Sequence, residues 1–153
     1  MKRIGIAVVL ALCGCHPAPS NNADSFYGTW NGTIDESDDC SSFSSPATGS
    51  YPDTLTITQD SNDNVTVTSA SDDCTYTGSA SGETITLDAN QSCGQYPEPD
   101  GTIVTFTVTT GTLTYDSSGN LQYNLSGDAT IQDGTTGTPL DDCPVTRTAS
   151  LSM

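Results

Sequence analysis

The residues able to do chemistry here are one histidine, six cysteines, nineteen acids and three basic residues. His16 sits near the N-terminus, and after Arg3 the only basic residue is Arg147. Acid–base catalysis would therefore need two carboxylates held at a set distance. The acids gather as Asp35, Glu36, Asp38 and Asp39, then Asp72 and Asp73, Glu98 and Asp100, Asp133, and Asp141 and Asp142. Scattered over loops, they set no such geometry, so no catalytic residue is assigned and the chain is read as non-enzymatic. Calcium would want oxygen ligands. The stretch DSNDN (60–64) begins like a calcium-binding loop, but Val65 stands where a glycine belongs and Ser71 where a glutamate belongs. It reads as a hairpin turn, and the acids as a solvated rim. Cys40, Cys74, Cys93 and Cys143 are widely spaced with no C-x2-C pair, which argues against zinc. No metal and no cofactor is expected.

Net charge is −16, which repels nucleic acid and anionic headgroups alike. The N-terminus carries the sharpest signal. MKRIGIAVVLALCGC has basic Lys2 and Arg3, then an apolar run from Ile4 to Leu12. That run is far shorter than the roughly 20 residues that span a bilayer, and it has the length of an export signal. Its end, Leu12-Cys13-Gly14-Cys15, resembles a bacterial lipobox. Cys15 fits as the lipidated residue because Gly14 is small and Leu12 lies three before it. The resemblance implies a signal peptide at 1–14 and a membrane anchor through diacylglycerol and an N-acyl chain such as palmitate on Cys15. His16, rather than aspartate, follows the cysteine, which by the same resemblance points to the outer membrane of the cell envelope. Residues 15–26 read as a flexible tether.

Residues 27–153 must supply the folded domain. Val, Ile, Leu, Tyr and Thr recur there with a period of two, and no stretch keeps a helical period. Eight strands are expected: about 28–34, 54–59, 64–69, 74–80, 83–89, 102–115, 120–131 and 144–152. The apolar phase of the sixth switches at Thr110-Gly111, as a bulge would produce. Tight polar turns join the second and third, fourth and fifth, and sixth and seventh strands. Longer connections at 35–52, 90–101 and 132–143 fall at the opposite end. Arg147 lies in the apolar phase of the last strand, with Val145, Ala149 and Leu151.

An all-β, antiparallel up-and-down barrel of eight strands fits this order and leaves no open edge. Gly28-Thr29-Trp30 resembles the glycine-x-tryptophan signature of the lipocalin and wider calycin families. In those families an arginine late in the last strand packs over that tryptophan. The resemblance thus implies a lipocalin-like barrel without a C-terminal helix, with Trp30 and Arg147 as a structural pair closing its floor. Such a cation–π contact contributes about 0.5–2 kcal/mol. A β-sandwich with Trp30 as a core aromatic is the alternative.

An even number of cysteines in an exported chain implies disulfides, and three pairings are open. If the barrel closes, its first and last strands are neighbours. Cys40–Cys143 would then tie that seam, and Cys74–Cys93 would join the fourth and fifth strands. Two functions remain in view. One is a lipid-anchored module holding a small apolar ligand in the barrel. The other is a structural or protein-interaction module with a packed barrel. A cavity above about 300 Å³ inside the barrel would favour the first, and a filled interior the second.

Overall fold

The computed structural model describes residues 26–41, 48–60, 64–97 and 101–153, with the backbone alone for 94–97. The leader, Cys15, His16, Glu98 and Asp100 lie outside the described residues. The strands are β1 (Gly28–Asp38), β2 (Thr48–Gln59), β3 (Asn64–Ser69), β4 (Cys74–Ser81), β5 (Thr84–Leu87), β6 (Ser92–Pro97), β7 (Thr102–Tyr115), β8 (Leu121–Asp133) and β9 (Pro139–Leu151). All pairings are antiparallel, in the order β5-β4-β3-β2-β1-β9-β8-β7-β6. β5 also pairs with β7, which closes a barrel-like ring of eight. The described residues contain no helix.

The ninth strand corrects the expected loop at 90–101. β5 pairs with Gly111–Thr114 of β7, and β6 with Ile103–Thr107 of the same strand. The two are halves of one strand interrupted at Asp88–Gln91. SCGQYP has no apolar alternation and ends in proline, so nothing local marks it as a strand. Pairing to β7 overrides that weak propensity. Thr77 of β4 pairs with Thr66 of β3 on one side; on the other, beyond the Asp88 N–H that donates to its carbonyl at 2.9 Å, the break leaves no strand, and Gln91 fills the gap. Its Nε2 donates to the Thr77 carbonyl at 2.9 Å, and its Oε1 accepts from the Thr77 N–H at 2.6 Å. One carboxamide here replaces the missing peptide group of a neighbouring strand. The phase switch in β7 is present as a register shift between Val108 and Thr110.

Other strands run longer than expected. β1 continues to Asp38, β2 begins at Thr48, and β8 and β9 leave only residues 134–138 between them. Among the added residues several inward positions are themselves charged, as at Glu36, Asp38 and Asp53, so no apolar alternation announces them. The connection at 132–143 is therefore a tight turn and not a long loop.

The ring interior is filled. Trp30, Tyr76, Tyr123, Phe26, Leu55, Ile57, Ile85, Leu113, Leu121, Leu125 and Leu151 are all buried. Burying each aliphatic or aromatic side chain contributes about 1.5–3 kcal/mol. Phe26 belongs to this core, so the folded domain reaches one residue further back than expected. Trp30 donates its Nε1–H to the Phe26 carbonyl at 2.8 Å. Both rings meet Tyr115 edge to face, with centroids 5.7 Å from Trp30 and 6.1 Å from Phe26. This cluster closes the tight-turn end of the ring. Gly127 makes room elsewhere: a Cβ there would lie 2.5 Å from Cζ of Phe106.

Candidate functional site

Charged residues on inward strand positions include Glu36 on β1, Asp53 on β2 and Arg147 on β9. They gather at the long-loop end. β1 and β9 pair with Glu36 opposite Arg147. The Arg147 Nε donates to Glu36 Oε2 at 2.6 Å, and its Nη1 to Asp72 Oδ2 at 2.6 Å. Its Cζ lies 4.7 Å from the centre of the Phe106 ring. Arg147 is only 9 % exposed. Burial works against the charged guanidinium. Tyr51, Glu36 and Asp72 more than offset it, so its pKa lies above the ordinary arginine value.

This placement corrects the expected floor pair. Glu36 lies six residues from Trp30 along β1, roughly 20 Å at ordinary strand rise. The register puts Arg147 beside Glu36, so it cannot reach the tryptophan. Trp30 stacks on Tyr115 instead, and the cation sits over Phe106 between two carboxylates.

Asp53 builds the other wall. Its Oδ1 accepts the backbone N–H groups of Thr54, Ala70 and Ser71 at 2.7, 3.1 and 2.9 Å. Its Oδ2 accepts the Ser69 hydroxyl at 2.7 Å. The β2–β3 ladder stops at Leu55 opposite Ser69. Asp53 supplies the acceptors that the departing chain loses, and so shapes the turn at 70–73. That turn delivers Asp72 to Arg147. Asp72 Oδ1 also accepts the Cys74 N–H at 3.1 Å, where a disulfide begins.

The cysteines pair as Cys40–Cys143 and Cys74–Cys93, with Cα–Cα distances of 4.9 and 5.3 Å. The first ties the β1–β9 seam. The second joins β4 to β6, just past the point where the β4–β5 ladder ends. Asp72, Cys74 and Cys93 bring a carboxylate and two sulfurs close together. The sulfurs are bonded to each other, so they offer no thiolate to a metal.

Tyr51 and Tyr123 flank the guanidinium network. Burial pushes both phenols above their ordinary pKa. Glu36 and Asp72 are both engaged by Arg147, and the arrangement has the chemistry of a charge lock. Three clefts of about 330–370 Å³ open to solvent. The one of about 340 Å³ is lined by Glu36, Tyr51, Pro52, Ser71, Asp72 and Arg147. None of the three is lined by a residue of the buried apolar core.

Sequence reading singled out Arg147 but missed its partners. Glu36 and Asp53 share the signal that marked Arg147, a charge in the inward phase of a strand, but they lie beyond the expected ends of the first two strands, where that phase was not read. Asp72 carried no such mark, because it lies in a turn. Phe106 was placed correctly on the inward phase of β7, but nothing local pairs it with a cation.

No protein-family model matches the chain, and no curated protein matches it. Among solved structures it is similar to a protein of unknown function from the DUF3598 family of Nostoc punctiforme. The two share 12 % identity with a TM-score of 0.34, over 84 % of this chain and 48 % of the other. The chain thus spans about half the length of that protein.

Proposed function

We propose that this protein is a non-catalytic module of the bacterial cell envelope, anchored in the outer membrane through lipid on Cys15, whose packed barrel presents its acidic long-loop end to a protein partner. The observation that carries this reading is the filled interior. Trp30, Tyr76, Tyr123 and Phe26 occupy the space that an apolar ligand would need. The lipocalin-like alternative, a small apolar ligand in the barrel, would require that core to move aside. The surface points the same way. Among the described residues the exposed large apolar side chains are Leu140 and Met153. A partner would therefore be met by polar and charged groups, at the end where Glu36, Asp38, Asp39, Asp73, Asp141 and Asp142 gather. Two disulfides suit a chain that works outside the reducing cytoplasm.

Titration of the soluble Cys15→Ala protein with an environment-sensitive apolar dye and with a fatty acid tests the packed interior. The expected result is no saturable binding and no change in Trp30 emission. Saturable one-to-one binding of either probe, with a shift in that emission, would replace the scaffold reading by the ligand-binding one.

A further inference from the structure

We propose that Asn90 is an acceptor for N-linked glycosylation, taking a saccharide from a polyprenyl pyrophosphate donor during or after export; this rests on the envelope reading above. Four asparagines are followed two residues later by Ser or Thr with no intervening proline: Asn31, Asn64, Asn90 and Asn124. That spacing is the acceptor pattern for this modification. The structure separates the four. Asn31 lies within β1, where its Oδ1 accepts the Thr54 hydroxyl at 2.9 Å. Asn64 opens β3 and donates its Nδ2–H to Asp60 at 2.9 Å. Asn124 is in the middle of β8, paired on one side with Thr112 and on the other with Thr148.

Asn90 alone of the four is outside a strand. It sits in the Asp88–Gln91 break between β5 and β6, exposed, with φ at +63°. Its carboxamide makes no hydrogen bond to a described residue, so the nitrogen is open to a transferase. Asparagine tolerates left-handed backbone, and this accounts for the residue type. Ser92 two residues on and Asp88 two before are both exposed; the Ser92 hydroxyl pairs with Thr107 Oγ1 at 3.2 Å and the Asp88 carboxylate accepts the Thr77 hydroxyl at 2.8 Å. Asp88 is the only acid at that offset among the four, since Thr29, Asn62 and Gln122 stand there in the others. It gives a cationic transferase a charge to read whether the chain is folded or still extended.

The transfer balances without further reactants. The Asn90 Nδ2 bonds to the anomeric carbon of the sugar. The bond from that carbon to the pyrophosphate oxygen breaks, and the polyprenyl pyrophosphate leaves with the electron pair. One amide proton passes to a base of the transferase.

The test expresses the full chain in bacteria carrying an oligosaccharyltransferase and its polyprenyl-pyrophosphate saccharide, beside a known exported acceptor. A second copy of the chain carries that acceptor's signal peptide. Glycopeptide mapping should find one saccharide, on Asn90. Asn90→Gln and Ser92→Ala should each lose it, while Asn31→Gln, Asn64→Gln and Asn124→Gln keep it. Saccharide on the second copy but not on the parent would support Asn90 and overturn the export reading. No saccharide on either copy while the control acceptor is modified, or saccharide on another asparagine in place of Asn90, would overturn the proposal.

Discussion

At the scale of single residues, the cost of burying Arg147 decides how the long-loop end is built. A buried cation needs its charge matched and its donors used. Glu36 and Asp72 do both from different strands and turns, so one side chain couples β9, β1 and the β3–β4 turn. Removing the arginine would leave two partly buried carboxylates facing each other. Arg147→Ala should therefore lose about 3 kcal/mol, at the lower end for a broken buried pair because Glu36 keeps some contact with water. Chemical denaturation of the variant checks this. Trp30 emission of the folded variant should match the parent, because the two residues lie at opposite ends of the ring. A shifted emission would mean that the guanidinium and the indole communicate after all.

At the scale of elements, turns held by aspartates fix two of the hairpins. Asp116 Oδ1 accepts the Asn120 and Ser118 N–H groups at 2.9 and 2.8 Å, between β7 and β8. Asp133 Oδ1 accepts the Thr136 and Thr135 N–H groups at 2.7 and 2.9 Å, between β8 and β9. These bonds hold both carboxyls below the ordinary aspartate value of 3.8, led by the backbone N–H of Asn120 in one and of Thr136 in the other. A folded pKa below the unfolded one gives stability that is present above the unfolded value. It is lost as pH falls through the folded one. Protection of the Ser118 and Thr136 amides from hydrogen exchange, taken relative to the intrinsic rate at each pH, should thus fall as the solution is taken below about pH 4. In Asp116→Asn the Ser118 amide should lose that dependence. Most of the element pattern was legible in the sequence, because inward Val, Ile, Leu and Tyr alternate with outward Thr in β2 to β5. The ends of β1, β2 and β9 were not, since inward positions there carry Glu36, Asp53 and Asp141 in place of apolar residues. β6 was invisible because its pairing with β7 is the sole reason it is extended. Arg147 was legible as buried, yet its partner was misread: strand register, which no local pattern reveals, decides which residue it meets.

At the scale of the whole molecule, a filled ring is cross-linked at the seam and at the broken strand. Cys40–Cys143 closes a sequence separation of 103 residues and Cys74–Cys93 one of 19. In the chain-entropy picture the longer loop loses more freedom, about 4.7 against about 3 kcal/mol. Cys40→Ala/Cys143→Ala should therefore lower the denaturation midpoint more than Cys74→Ala/Cys93→Ala does. Equal losses would mean that the shorter bridge contributes by holding β4 to β6 across the gap. The same ring is expected to leave the cell with nothing in it. Native mass spectrometry of the protein, purified from membranes in mild detergent, tests that most directly. The expected species is a single chain beginning at lipidated Cys15, four hydrogens lighter than its reduced form, with no small molecule attached beyond a saccharide on Asn90. An apolar molecule that travels with the protein and is released on collisional activation would contradict the packed-barrel account.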